Sequence, residues 1–330
     1  MNNDLSHQNF VVRISVLLNN SRNKIISTVN QTMVSTYFEI GRMIVEEEQS
    51  GKERAGYGKQ LLSILSKKLT QDFGKGFSET NIKQMRSFYM NFSKRQTLSD
   101  EFKLSWSHYL KLMRIDDEKE RNFYEIESSK NNWSLRELQR QFDTALYTRL
   151  ALSRNKEEIL ELSTKGQILE KPKDVIKDPY ILEFLGLPDE ITYSENELEQ
   201  KLIDKLEHFL LELGTGFTFV ARQNRISFDE KHFKIDLVFY NRILKCFVLI
   251  DLKIGELKHQ DIGQMQMYVN YYDREVRLVD ENKTIGIILC QDKSEAVVEY
   301  TLPENNEQIF ASKYSTVLPS KEKLKQLIEE

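Results

Sequence analysis

Residues 234–240 read KIDLVFY and residues 250–255 read IDLKIG. Both stretches have the β-branched and aromatic composition of half-buried strands. In the first, Ile235, Leu237 and Phe239 alternate with Lys234, Asp236, Val238 and Tyr240, which predicts Asp236 on the face opposite Ile235 and Leu237. In the strand containing the second, Phe247, Leu249, Asp251 and Lys253 share one face, and Cys246, Val248, Ile250 and Leu252 share the other. Asp251 and Lys253 therefore project to the same side, roughly 6–7 Å apart along the strand. A charge in so apolar a strand is costly to bury without a partner, and this pair supplies one.

The flanking segments build a fold around these strands. Ser194 with Glu197 three residues on is a capping box, opening a helix that runs to Gly214 and Gly216. Its apolar stripe holds Leu198, Leu202, Leu206, Phe209 and Leu213. Glu199 falls inside that stripe, while Glu197 belongs to the cap. Glu195 also falls in the stripe, but in the first turn, where the helix dipole and solvent account for it without a function. Residues 217–223, 225–228, 232–240, 245–253 and 284–290 read as strands, with turns at Asp229-Glu230-Lys231 and Asn241-Arg242. Residues 260–272 have helical spacing. The order is helix, three antiparallel strands, helix, strand: an α/β domain with a small mixed sheet flanked by helices, an αβββαβ core.

Asp236, Asp251, Glu199 and Lys253 have a coherent chemical use. Two or three carboxylates plus waters suit Mg²⁺, which keeps much of its hydration, with Mn²⁺ as the alternative ion. Such an ion holds a phosphate oxygen, lowers the pKa of a bound water and stabilises an in-line displacement. Lys253 can orient that water or neutralise the phosphorane, and its bland role is counter-ion to Asp251. Gln264 and Tyr268 share a helix face four residues apart, and Gln264 is a second-tier candidate. Gln223, at the end of a strand, is a weaker one. His7, His108, His208, His232 and His259 show no paired zinc spacing, and Cys246 and Cys290 read as buried thiols of a reducing cytoplasm.

The first half reads as all helical. Residues 8–48 carry apolar positions at helical spacing, 57–69 form a second amphipathic stretch ending at FGKGF (73–77), and 81–92 a third. Ser134 and Glu137 form a capping box that opens a helix over 135–150. The short turn at 73–78 before a helix bearing Lys83 and Arg86 is compatible with a helix-turn-helix, and equally with generic bundle packing. A polar stretch at 165–173 places the domain boundary near residue 165, dividing a helical domain, 1–165, from an α/β domain, 166–330. Of the 330 residues, 40% are hydrophobic and 30% charged, a globular composition, and no apolar run is long enough to span a bilayer. No basic-then-apolar leader opens the sequence. Residues 1–150 carry 23 basic and 18 acidic side chains, or +5. That leaves −9 for the remainder of a chain with 47 basic and 51 acidic residues. A basic half suits a phosphate backbone and an acidic half a divalent cation.

Asp236 on one strand, Asp251-Leu252-Lys253 on the next and helices on either side resemble the PD-(D/E)XK nuclease superfamily. Within it, the wording is closer to the YhcG-type family. FLLELGTGFTFVARQ (209–223), KIDLVFY, IDLKIG and GQMQMY (263–268) resemble that family's nuclease domain. GRMIVE (41–46), 57–59, FGKGFS (73–78), LSWSH (104–108) and WSLREL (133–138) resemble its companion helical domain. The resemblance implies metal-dependent cleavage of DNA phosphodiesters by an endonuclease, with Asp236, Asp251 and Glu199 on the metal and Lys253 on the water or transition state. The helical domain would bind nucleic acid or assemble the protein. Ile235 stands where the superfamily motif has proline, and the second acid is Asp rather than Glu. A homodimer is one expectation, since cutting both strands commonly needs two sites. Neither a membrane nor an organic cofactor is expected. The alternative is a catalytically silent DNA-binding or protein-interaction scaffold on a nuclease fold.

Overall fold

The computed structural model describes residues 2–50, 57–93, 102–152, 156–188, 193–228 and 230–317, so that Asp229 of the expected turn lies outside the described residues. The chain forms two compact units, Met1–Gln139 and Arg140–Glu330. The first unit is helical, with α1 (Asn2–Ser50), α2 (Tyr57–Phe73), α3 (Glu79–Phe92), α4 (Trp106–Leu112) and α5 (Glu118–Lys130), and α6 (Leu135–Asp143) runs through the division. Ser78 caps α3 by accepting from Asn81 N–H at 3.3 Å. Its core is aromatic: Phe88, Phe92, Phe102 and Tyr109 pack with ring centroids 5.0–5.5 Å apart. His108 Nε2 lies 3.1 Å from the Trp133 carbonyl, which joins the LSWSH and WSLREL motifs.

The helix expected over 135–150 breaks, and α7 (Leu146–Leu152) follows α6 as a separate element. Ala145 adopts a left-handed φ of 49°. The Thr144 carbonyl stranded there is satisfied by the Arg149 guanidinium, Nε to O 2.9 Å. α7 and α8 (Lys156–Lys165) belong to the second unit, whereas the sequence places the division near residue 165. The cause is a buried ion pair: Arg149 Nη1 lies 2.6 Å from Glu212 Oε1, and both side chains are 0% exposed.

The second unit is built on a six-stranded mixed sheet. Its strands are β1 (Tyr180–Ile181), β2 (Phe217–Phe228), β3 (Lys231–Asn241), β4 (Cys246–Leu252), β5 (Ile285–Cys290) and β6 (Ile309–Ser315), in the order β1-β6-β5-β4-β3-β2. β2, β3 and β4 are an antiparallel meander, and β4, β5, β6 and β1 run parallel. The two parallel crossovers are made by α11 (His259–Tyr271) and α12 (Glu295–Thr301), as parallel neighbours require. On one face lie α9 (Glu195–Asp204) and α10 (Leu206–Leu213), whose Leu198, Leu202, Phe209 and Leu213 pack on Leu237, Phe239, Val248, Ile250 and Leu252. On the other, Ile262, Met265, Tyr268 and Val269 of α11 pack on Val238, Leu249 and Ile288. Gly286 lets α11 come this close, because a Cβ there would stand 2.6 Å from the Met265 side chain.

The single helix expected from Ser194 to Gly214 is interrupted at Lys205, whose φ of −118° ends α9 and starts α10. β6 and β1, which complete the parallel edge, were not marked by periodicity. Cys246 and Cys290 are free and buried, as their apolar surroundings predict. Among the described residues no helix is long and apolar enough to cross a membrane.

Candidate active site

β3 and β4 pair in antiparallel register through Leu237↔Ile250, so the next step brings Asp236 opposite Asp251. Just beyond the last pair the two carboxyls are close enough to act on each other's ionisation. Asp251 and Lys253 share a face as predicted, with Lys253 Nζ 2.9 Å from Asp251 Oδ2. That contact gives the buried Asp251 carboxylate its cationic partner. Asp236 is held from two sides: its Oδ2 accepts from Leu252 N–H at 2.8 Å, and its Oδ1 from Gln223 Nε2 at 3.3 Å.

The predicted alternation along β3 fails at one residue. Ile235 packs with Val238 on the α11 face, not with Leu237 and Phe239. The break falls at Asp236, across from Gln223 of β2, which sits between the paired Arg222 and Asn224 at a left-handed φ of 46°. Strict period-two reading does not survive such an irregular step. The consequence is useful. Gln223 is aimed into the site, where its amide donates to Glu199 Oε2 as well as to Asp236.

Glu199 is 5% exposed on α9 and leaves Oε1 without a hydrogen bond, the nearest cation being Arg222 Nε at 3.6 Å. It reaches Asp236 through Gln223. Among the described residues no group of three or more His, Cys, Asp or Glu side chains is arranged to hold a metal ion. The expected trio is thus present as an opposed pair, Asp236 and Asp251, with Glu199 one amide away. Gln264 donates to the Tyr268 hydroxyl, which in turn donates to the Lys234 carbonyl at 2.8 Å. Glu195, set aside on sequence grounds, accepts from Ile254 N–H at 3.2 Å, just beyond Lys253. Its i, i+4 spacing from Glu199 on one helix face is the signal that marks it.

The electrostatics follow from burial and crowding. Burial first, then the neighbouring Asp236 carboxylate, push the Asp251 carboxyl up to about 7, with Lys253 opposing. Burial raises Asp236 as well, against the Leu252 N–H and Lys253. Glu199 is also raised, chiefly by burial. Burial works against the Lys253 ammonium, but Asp251, Glu195 and Asp236 outweigh it and keep its pKa above the ordinary value. Burial and then the charges of Asp251 and Asp236 raise the Tyr268 hydroxyl, against the Gln264 hydrogen bond. Two acids held against each other in a desolvated strand end, with the buried Glu199 Oε1 nearby lacking a hydrogen bond, are the donor set a hydrated divalent cation neutralises.

Residues 173–329 match the family model described as YhcG PDDEXK nuclease domain, and residues 13–149 the one described as DUF1016 N-terminal domain. The Escherichia coli (strain K12) protein named "Putative nuclease YhcG" is 38% identical over 338 residues, spanning 93% of this chain and 90% of that protein. Among solved structures, a repair endonuclease from Pyrococcus abyssi is 17% identical, with 39% of this chain and 50% of that chain covered at a TM-score of 0.28. An EndoMS–dsDNA2 complex is 16% identical, with 40% of this chain and 48% of that chain covered at a TM-score of 0.29. The match spans about half the length of these two solved chains.

Proposed function

Because the chain belongs to the YhcG family of PDDEXK nuclease-domain proteins, we propose that it is a metal-dependent nuclease that hydrolyses DNA phosphodiester bonds at the Asp236–Asp251–Lys253 end of its central sheet. The observation that carries this reading is the opposition of Asp236 and Asp251 across β3 and β4, with Lys253 Nζ 2.9 Å from Asp251. Stability alone does not account for it. Raised acids in a strand cost folding energy at neutral pH, and perturbed groups of this kind cluster at functional sites.

Asp236 and Asp251 are the residues that would hold the ion, Mg²⁺ with Mn²⁺ as the alternative, through one or two carboxylates while waters fill the other positions. When bound, it would polarise a phosphate oxygen and make an attacking water more acidic. The protein's own part is orientation and charge. Lys253 stays an ammonium and offsets the extra negative charge of the phosphorane. The Leu252 N–H and the Gln223 amide fix the Asp236 carboxylate from both oxygens. Glu199, tied to Asp236 through Gln223, completes the acidic set. Gln264 and Tyr268 order the neighbouring wall from α11. We assign the helical domain to nucleic-acid binding or assembly, in keeping with its +5 balance over residues 1–150.

The test is incubation of purified protein with linear, circular, branched and single-stranded DNA, and with RNA, in Mg²⁺ and in EDTA, beside an Asp251→Ala control. Cleavage of DNA that requires the metal and vanishes in the control is expected. Salt-sensitive DNA binding without cutting in either Mg²⁺ or Mn²⁺ would leave only the silent scaffold. Preferential cutting of RNA would overturn the substrate.

A further inference from the structure

α1 is longer than its packing explains. Its later part is anchored, with Val34 and Ile44 at 0% and 3% exposure and Gly41 set against Met85 of α3. From Val11 to Val29, by contrast, every described side chain is exposed. That stretch is not polar. Val11, Ile14, Leu18, Ile25, Ile26, Val29 and Met33 are 39–63% exposed. At about 100° per residue they fall within an arc of about 120°. Residues 5–38 contain no acidic side chain, and their charges are Arg13, Arg22 and Lys24. No acid is therefore available along this stretch for the i, i+4 ion pairs that support a solitary helix. Helices in proteins persist mainly by packing an amphipathic face. Something covers this one.

The arrangement of the stripe identifies the occupant. Its spacing reads nearly alike from either end about a point between Ser21 and Arg22. Turning the helix end for end about that point sets Leu18 against Ile25 and Ile14 against Val29 within the stripe, Ile26 against Leu17, which flanks the stripe by about 60°, and Val11 against Thr32. The same operation sets Arg13 against Asn30, Arg22 against Ser21 and Lys24 against Asn19. Arg13 and Lys24 thus meet uncharged polar residues and Arg22 comes within one residue of its own copy across the axis, whereas a parallel pair would stack all three cations on their copies. The area is also adequate. At about 30 Å² per methylene-sized group, the exposed parts of the seven side chains present on the order of 400 Å² per helix. Two such faces, in an interface about 57% apolar, correspond to roughly 1,400 Å², within the range of standard interface sizes.

We propose that residues 11–33 of α1 dock on the same segment of a second copy, antiparallel, about a two-fold axis between Ser21 and Arg22. This surface is independent of the nuclease assignment. Arg22, at the centre of the stripe, fixes the register at some cost in stability, as a single polar residue in a helical seam does, and its long stem lies along the partner while the guanidinium reaches water.

Sedimentation equilibrium of the full chain at micromolar concentration tests the pairing. The wild type is expected at about twice the 39.0 kDa chain mass. Leu18→Glu/Ile25→Glu is expected at the single mass, while Met90→Glu, which alters an exposed methionine on α3, stays dimeric. Orientation is read by oxidising a mixture of Leu18→Cys and Ile25→Cys chains. The native Cys246 and Cys290 are buried and leave little background. Mixed 18–25 disulfides are expected, and 18–18 and 25–25 disulfides would refute the antiparallel arrangement. A monomeric wild type, a wild type that dimerises only when DNA is added, or a doubly substituted chain that remains dimeric would each overturn the proposal.

Discussion

Replacing Glu212 with Gln should destabilise the second unit by about 3–5 kcal/mol, because it leaves Arg149 charged and buried with no counter-ion. Glu212 Oε1 lies 2.6 Å from Arg149 Nη1 and 3.0 Å from Ile181 N–H, and Oε2 lies 3.4 Å from Arg140 Nη2. Lys177 donates to its backbone carbonyl. Burial alone would raise this carboxyl, but Arg149, Lys177 and Arg140 reverse the shift and bring it from 4.5 down to about 2. A depressed acid contributes stability that is present above the unfolded value and lost as pH falls through the folded one. The pair thus accounts for about 3 kcal/mol that disappears between roughly pH 4.5 and pH 2. For a unit of this size the Gln variant should melt on the order of 10 °C lower at pH 7. Far-UV circular dichroism is the suitable probe, because both tryptophans, Trp106 and Trp133, lie in the first unit and do not report on the sheet. Arg149→Met combined with Glu212→Met should lose less than Glu212→Gln alone, since removing both charges abolishes the uncompensated cation. A loss under about 1 kcal/mol for Glu212→Gln, or a double variant worse than the single one, would refute the claim that this ion pair fastens α7 to α10.

Four further outcomes follow from the site geometry. Asp251→Asn and Asp236→Asn should each remove cleavage in a gel assay while leaving the circular dichroism melt of the metal-free protein unchanged or higher, because a crowded buried carboxyl is replaced by a neutral isostere. Lys253→Ala should lower the single-turnover cleavage rate by about 10²–10³-fold, the range for losing one charge donor to a transition state, with DNA affinity by filter binding little changed. Gln223→Ala should cost about 10–100-fold in metal affinity by isothermal titration, as expected when a ligand's orienting partner is lost. Proton competition for Asp251, raised to about 7, should weaken metal binding as pH falls below that value, roughly tenfold per unit at most. Affinity flat from pH 8 to pH 5.5 would contradict it.

The central strands and their acids were legible because period-two patterning is a local property. Leu249, Asp251 and Lys253 lie on the face that four alternating positions assign to them, and burial of Cys246, Val248, Ile250 and Leu252 on the other face follows from the same rule. What escaped the sequence depends on contacts far along the chain. Ile235 changes face across Asp236, opposite the left-handed Gln223 of β2, and nothing in KIDLVFY encodes that irregularity. Glu212 shows no sign of burial until Arg149, 63 positions earlier, is brought against it. Glu195, as a first-turn acid, has an adequate local explanation in the helix dipole. Its contact with Ile254 N–H joins positions 59 residues apart.

The irregularities of β2, β3 and β4 fall in one place, and that location explains how the site can exist. The β3–β4 ladder stops at Leu237↔Ile250. Beyond them the Leu252 N–H is taken by the Asp236 side chain rather than by a backbone carbonyl of β3. A buried donor is satisfied, as it must be, but by a carboxylate that is thereby fixed in position beside Asp251. On the far side β4 still holds to β5, with Lys253 N–H donating to the Leu289 carbonyl at 2.8 Å, so the end of the strand stays rigid while one edge opens. Left-handed backbone at Gln223 costs energy for a residue with a Cβ, and such positions persist where the surrounding structure over-determines them. Here it places one amide between Glu199 and Asp236. Gln223→Gly separates the two roles of that residue: it should relieve the backbone strain and raise the melting temperature relative to Gln223→Ala, while losing metal affinity to the same extent. Equal melting of the Gly and Ala variants would mean that the left-handed turn stores no strain and that the opening of the sheet edge has another cause.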